Sequence, residues 1–472
     1  MINMFIGVVR TKAVAVLLGP VGVGLMSLFQ SIVDMMRSVT DLGLGFSSVK
    51  DVAQAQATGD ENRMAATRQV LMRWVWFAAL LGTLLTIVFA RPLGRWAFGN
   101  TEHTAGICLL SFCVFMGTLA AGQRALLQGM RHVGDMARAS VLGTFSGMVV
   151  FVVTFWLLGE KGIVPAMLLA ALANLVYATF YARRIRLPKT RQSLADTWHK
   201  GRSMVVLGCY SMVVGVVGTL CTLTLKSLLG RWADMDTVGL YQSSWGITGM
   251  ALSAVLSAMA TDYYPRLCAV SHDNRTMARY VNEQLRVAIL LSSVVVTTML
   301  LLAPLVLHIF YSAKFVPAEG LLRWLLLGGF LKVLNYPLGY VSLSKGKSLW
   351  FMLVELLWYG LYFGLYCLLW PVFGLKGLGM AYLGAHIVYT AVLLVLARRL
   401  CGFRPEKKNL QLTAVSGLIL AASFLVSAWL PSGWLRWLLS GVLVLGCGTL
   451  SLYELNRVWP LRTIAEKLRR RV

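Results

Sequence analysis

The chain has 472 residues, of which 58% are hydrophobic and only 13% charged, with a mean hydropathy of +0.70. Soluble domains carry about 25% charged residues, so a water-soluble enzyme is excluded, and repeated apolar runs of about 20 residues place the chain in a membrane many times over. The net charge of +25 does not indicate nucleic-acid binding, because Lys and Arg concentrate in short connections, as the positive-inside rule requires.

None of the apolar runs alternates like a barrel strand, so the spans are read as helices and the fold class as an all-α integral membrane protein. About fourteen spans are expected, near 2–18, 21–46, 73–93, 107–128, 141–158, 163–182, 205–229, 238–262, 287–311, 319–342, 350–370, 378–397, 413–430 and 436–453. Both termini are expected in the cytoplasm, since about 30 of the 44 Lys and Arg then fall in cytoplasmic segments. No charged n-region and cleavage site follow Met1, so no signal peptide is read.

The opening pair of spans is the most unusual. Arg10 and Lys12 sit inside the first; Gln30, Asp34, Arg37 and Asp41 share one stripe of the second, at spacings of 4, 3 and 4. A charge at the bilayer centre costs roughly 2.5–3.5 kcal/mol even on the lenient scale, so these groups must face protein or a wet cavity. Two readings stay open: an ion-pair network locking two helices, and a polar lumen that handles a charged solute.

The 47–72 connection is polar and expected to be partly helical, and 94–106 is expected to be the longest outward loop. Residues 183–204 hold Arg183, Arg184, Arg186, Lys189, Arg191, Lys200 and Arg202 with Pro188, and read as a basic linker. After it the pattern restarts. Leu17-Leu18-Gly19 and Val23-Gly24-Leu25 recur as Leu228-Leu229-Gly230 and Val238-Gly239-Leu240. This predicts two six-helix bundles in parallel repeat, over 1–182 and 205–397, with two additional helices and a basic tail over 398–472. Asn335-Tyr336-Pro337 predicts a kink in the tenth span.

Signals for catalysis are weak. Gly346-Lys347-Ser348 resembles the end of a P-loop, but Val341 stands where that motif needs Gly, and no strand precedes it. Asp234-Met235-Asp236 reads as a solvated turn rather than a metal-binding pair. The six histidines and eight cysteines show no metal-ligand spacing, so no metal is expected. What remains is the set of ionisable residues inside spans. The candidate cations are Arg10, Lys12, Arg37, Arg124, Lys226 and Lys332, and the candidate pairing or ion-coupling carboxylates Asp34, Asp41, Asp262 and Glu355. Six cations against four carboxylates favour an anionic solute, since guanidinium and ammonium groups coordinate phosphate oxygens.

Ile6-Gly7-Val8-Val9-Arg10-Thr11-Lys12 followed by Leu17-Leu18-Gly19-Pro20-Val21-Gly22-Val23-Gly24-Leu25 resembles the opening of bacterial O-antigen translocases. These form the polysaccharide-transporter branch of the multidrug/oligosaccharidyl-lipid/polysaccharide (MOP) exporter superfamily. The specific match covers about the first 60 residues; the rest agrees in span number, loop size and basic linker. The resemblance implies a V-shaped cationic cavity between two bundles in the bacterial inner membrane. It implies flipping of undecaprenyl-pyrophosphate-linked oligosaccharide by alternating access, with Arg10 and Lys12 inside the matching motif. A proton or sodium gradient as driving force, and a polysaccharide polymerase with chain-length machinery as partners, are further implications. No enzymatic activity and no cofactor are expected. The peptidoglycan lipid precursor flippase and a multidrug exporter of the same superfamily are the nearest alternatives. A membrane polymerase or glycosyltransferase is less favoured, because no outward loop is long enough to carry a catalytic site.

Overall fold

A computed structural model describes residues 2–40, 44–57, 60–185, 188, 194–430 and 433–458. Every regular element among them is helical. In chain order the helices are α1 (Ile2–Thr40), α2 (Leu44–Ala57), α3 (Glu61–Val88), α4 (Ala90–Phe98), α5 (Thr104–Gly129), α6 (Val133–Leu158), α7 (Ile163–Arg183) and α8 (Leu194–Trp232). They continue as α9 (Met235–Ala269), α10 (Asn274–Leu301), α11 (Ala303–Phe310), α12 (Glu319–Ser344), α13 (Ser348–Phe373), α14 (Leu375–Cys401), α15 (Lys407–Trp429) and α16 (Trp434–Val458).

The two spans expected over 2–18 and 21–46 are the two arms of α1. Gly19 has φ 66° and ψ −171°, a conformation that essentially only glycine adopts, followed by Pro20, which lacks a backbone donor. The contacts show that the chain reverses there. Asn3 donates to Ser140 at 2.7 Å and Arg10 lies over the Phe151 ring, so the first arm runs parallel to α6. In the second arm Phe29 lies by Gly106 and Arg37 by Gly117, so that arm runs parallel to α5. Asn174 meets Gly143 and Ala170 meets Gly147, which makes α6 and α7 antiparallel. Val164 meets Gly106, and Tyr181 joins Leu126 and Leu127 in one core cluster, so α5 and α7 are parallel. The two arms of α1 are therefore antiparallel.

Ten helical stretches among the described residues are long and apolar enough to cross a membrane. By that criterion α1 counts once despite its reversal, and Val133–Arg183 counts once although it holds both α6 and α7. The expected count of fourteen differs from these ten.

The 47–72 connection contains the end of α2 and the start of α3. Asp60 caps α3, accepting from the amides of Asn62 and Arg63 at 2.9 and 3.3 Å. The expected outward loop at 94–106 begins inside α4, whose Ala90, Leu93, Gly94 and Ala97 form a buried stripe at helical spacing. An amphipathic helix of this length is easily read as a loop, because three of its four buried residues are Ala or Gly.

Contacts divide the chain into two compact units, Met1–Gln242 with Phe310–Lys314, and Ser243–Ile309 with Phe315–Val472. In the first, Val70, Leu71, Trp74, Val75 and Ala78 of α3 pack with Leu119, Leu126 and Leu127 of α5, and with Tyr181 of α7. Helix α8 packs on α1, α2, α3 and α4. In the second, α14 packs between α12 and α13, and α10 packs on α12, α15 and α16. Pro337 lies within α12, and its carbonyl accepts from the Tyr263 hydroxyl at 2.8 Å.

Candidate functional site

One group of charged side chains inside the spans stands out in each unit. In the first unit, the second arm of α1 presents Gln30, Asp34 and Arg37 on one stripe. Gln30 donates to the Asp34 carboxylate at 2.9 Å. Arg37 reaches α5 and donates to the Gly117 carbonyl at 3.3 Å, while its Nε has no hydrogen-bond partner. Arg37 is also the electrostatic neighbour of Asp34, of Arg124 on α5 and of the Cys113 thiol. No ion pair within 4 Å joins Asp34 to Arg37 among the described residues. Arg37 thus neighbours both the Asp34 carboxylate and the Arg124 guanidinium, and among the described residues the cations of this group outnumber its carboxylate, an arrangement suited to phosphate oxygens.

Lys226 projects from α8 onto the same arm of α1. It is buried at 5% exposure and donates to the Ser27 carbonyl at 3.2 Å and the Ser31 hydroxyl at 2.9 Å. Asp34 is its electrostatic neighbour. Lys226 is thus packed against protein, where it helps set the charge around Asp34. Arg10 lies apart from this group, 5.4 Å above the Phe151 ring, with Tyr311 as its electrostatic neighbour and its Nε without a hydrogen-bond partner. Lys12, two residues on and so on a different face of the helix, is half-buried. Asp41 lies outside the described residues, and so does the side chain of Asp262.

In the second unit Lys332 of α12 has Glu355 of α13 and His386 of α14 as electrostatic neighbours. Tyr389 donates to the Glu355 carboxylate at 2.6 Å. Asn335 and His386 are both buried at 4% exposure and lie 3.4 Å apart, Nδ2 to Nδ1. Trp358 and Tyr382 pack on the His386 ring at 5.1 and 4.6 Å. Asn335 Oδ1, His386 Nε2 and Trp358 Nε1 are buried without hydrogen-bond partners.

Charge inside a span picked out Lys332 and Glu355 and passed over Asn335, Trp358, His386 and Tyr389. The signal existed in the pairs Lys332–Asn335, Glu355–Trp358 and His386–Tyr389, each three residues apart and so on one helix face. Neither the Ser27 and Ser31 receptors of Lys226 nor the Gly117 carbonyl carried any signal. The P-loop-like Gly346-Lys347-Ser348 turns the chain between α12 and α13, with Gly346 at φ 68°. Asp234 caps α9, accepting from the Thr237 amide and hydroxyl at 2.7 Å each. No group of His, Cys, Asp and Glu among the described residues could hold a metal ion.

A family model described as polysaccharide biosynthesis protein matches residues 13–319, more than half of the chain. The chain belongs to this family. It is similar to the Lipid III flippase of Escherichia coli (strain K12), 25% identical over 389 residues, covering 81% of this chain and 92% of that protein. The Lipid III flippase of Shigella flexneri matches equally. Among solved structures, the lipid II flippase MurJ in an inward closed conformation superposes with a TM-score of 0.71 at 13% identity, over 97% of this chain and 96% of that one. An inward-facing multidrug resistance MATE transporter of the MOP superfamily superposes with a TM-score of 0.70 at 16% identity, over 88% and 96%. This polysaccharide biosynthesis protein therefore has the fold of MOP-superfamily transporters, as the opening motif implied.

Proposed function

We propose that this protein is a flippase that moves undecaprenyl-pyrophosphate-linked O-antigen, or related polysaccharide repeat units, from the cytoplasmic to the periplasmic leaflet of the bacterial inner membrane. The observation that carries the reading is the group of Arg37 and Arg124 with Asp34 as its one carboxylate among the described residues, inside membrane-spanning helices. A group with more cation than anion accepts an anionic headgroup and disfavours a cationic drug. Family membership and the similarity to Lipid III flippases support a lipid-linked oligosaccharide as cargo.

In this reading 1–182 and 205–397 are two six-helix repeats joined by a cytoplasmic basic linker at 183–204, with 398–472 adding two helices. Arg10, Lys12, Arg37, Arg124, Lys226 and Lys332 supply the cationic lining, either touching phosphate or setting its field. Asp34 and Glu355 are the described carboxylates placed to couple transport to a proton or sodium gradient. The protein makes and breaks no covalent bond. A polysaccharide polymerase is the partner expected to consume the flipped unit.

The test is complementation of O-antigen display in a strain lacking its own translocase, with wild type beside Arg37→Ala and Arg124→Ala at matched membrane levels. Display restored by wild type and reduced at least tenfold in either variant supports the reading. Full rescue by both variants would sink the site assignment. The similarity to Lipid III flippases favours a second cargo, Lipid III itself. Rescue only in a strain lacking that flippase selects it.

A further inference from the structure

The second unit has a cavity of about 300 Å³ lined by Arg266, Arg286, Lys408 and Arg457 with Glu283 as the one acidic wall residue. It sits where α9 and α16 end and α10 and α15 begin, so four helix termini meet at one end of the unit. That end carries basic residues and is the one expected to face the cytoplasm.

The walls are built on a buried frame. Asn282 and Asn409, at 5% and 1% exposure, are joined by hydrogen bonds of 2.9 and 3.0 Å. Asn282 also accepts from the Glu406 amide and donates to the Arg404 carbonyl, both at 3.0 Å. Arg286 is held by Asn409 at 3.2 Å and by Glu406 at 2.5 Å. Lys408 and Arg457 share one carboxylate, Glu454, at 2.5 and 3.6 Å. Counting these rear carboxylates, four cations face three anions, so the cavity keeps a positive excess on a rigid base. Two cations on one carboxylate also leave donors for a further anion.

The surface beside the cavity is apolar. Leu410 and Leu418 of α15 and Leu445 and Leu452 of α16 are all more than half exposed, and these helices are apolar enough to lie in a bilayer. A ligand that satisfies both surfaces has an anionic phosphate at one end and hydrocarbon chains at the other.

We propose that this cavity binds the phosphate of an anionic phospholipid headgroup, whose acyl chains lie along α15 and α16. The site is separate from the charged groups of the transport reading and does not depend on it. Each interfacial cation contributes about 1 kcal/mol to binding an anionic lipid, equivalent to about a fivefold change in affinity.

The test is thermal melting of the purified full-length protein in detergent, titrated with phosphatidylglycerol, phosphatidylcholine, undecaprenyl phosphate or inorganic phosphate. The expected result is a saturable rise in Tm with phosphatidylglycerol and not with phosphatidylcholine. Arg457→Gln and Arg266→Gln should each raise the half-saturating concentration about fivefold, while Arg398→Gln, an exposed cation on α14 away from the cavity, leaves it unchanged. If Arg457→Gln melts early without lipid, Arg266→Gln, whose side chain is on the surface, carries the comparison. Equal shifts with both phospholipids, or cavity variants that titrate like wild type, overturn the proposal. A shift with inorganic phosphate alone would make the site one for free anions, and a shift with undecaprenyl phosphate alone one for the polyprenyl cargo; either result also overturns it.

Discussion

Lys226 illustrates how a membrane cation can be held without a direct ion pair. Its ammonium group donates to Ser27 and Ser31, and those two are themselves joined, Ser31 donating to the Ser27 carbonyl at 2.8 Å. Replacing the lysine with methionine removes a buried charge and strands no serine, so folding should change by less than about 1 kcal/mol. The field around Asp34 and Arg37 changes with it. Lys226→Met is therefore expected to keep its melting temperature and lose transport, read by melting in detergent beside the display assay. Loss of both together would reduce Lys226 to a packing residue. Asp234 offers a contrasting case outside the spans. The Thr237 hydroxyl and amide hold its carboxyl below the usual carboxylate range. A depressed carboxyl contributes its stability above the unfolded value and loses it as pH falls through the folded one. Asp234→Ala should cost about 1 kcal/mol at neutral pH, and the gap to wild type should close below about pH 4. Melting curves at pH 7 and pH 3 check this. The charges themselves were legible in the sequence because hydrocarbon makes them conspicuous. Their partners were not, since a serine hydroxyl or a glycine carbonyl looks ordinary until a helix places it beside a cation.

The repeated Val-Gly-Leu triplets acquire a physical role once the helices are packed. A Cβ at Gly24 would lie 2.3 Å from the Met235 carbonyl oxygen, and one at Gly239 would lie 1.9 Å from the Pro20 carbonyl oxygen. The first turn of α9 thus crosses the start of the second α1 arm with backbone against backbone, and both copies of the motif serve one contact. In membranes, where lipid is as apolar as leucine, such close approach of small residues is the main means of helix association. Gly239→Ala cannot be accommodated by a side-chain shift, because the obstacle is a carbonyl. It should destabilise the protein by about 1–3 kcal/mol or more, seen as a lower melting temperature, while Gly249→Ala on the same helix, with open space around it, should melt like wild type. A melting temperature unchanged in Gly239→Ala would show that the two helices separate at no cost. The hairpin itself was legible from Gly19-Pro20 between two apolar runs. Helix α4 was not, because a buried stripe of one leucine with Ala90, Gly94 and Ala97 gives little periodic signal.

For the molecule as a whole, the charge asymmetry makes a definite prediction of topology. The turn at Arg131-His132 should face the cytoplasm and the turn at Glu160-Lys161 the periplasm. In a background with the eight native cysteines replaced by serine, Glu160→Cys should react with a membrane-impermeant thiol reagent added to cells with a permeabilised outer membrane. Arg131→Cys should react only after the inner membrane is opened. The reverse pattern would invert the orientation, and with it the side on which the basic cavity of the second unit lies.

Hydrophobic run length and charge placement by themselves determined that this is an all-helical, multi-pass membrane protein, because the bilayer demands satisfied backbone groups within each span. The opening motif also pointed to the fold that the chain shares with MOP-superfamily transporters. Only the tertiary structure decided what the described charges touch, since pairing depends on neighbours far away in the chain. Arg37 meets Gly117, Lys226 meets Ser27, and Tyr389 meets Glu355. Helical periodicity assigns a residue to a face, and helix packing alone selects what that face meets.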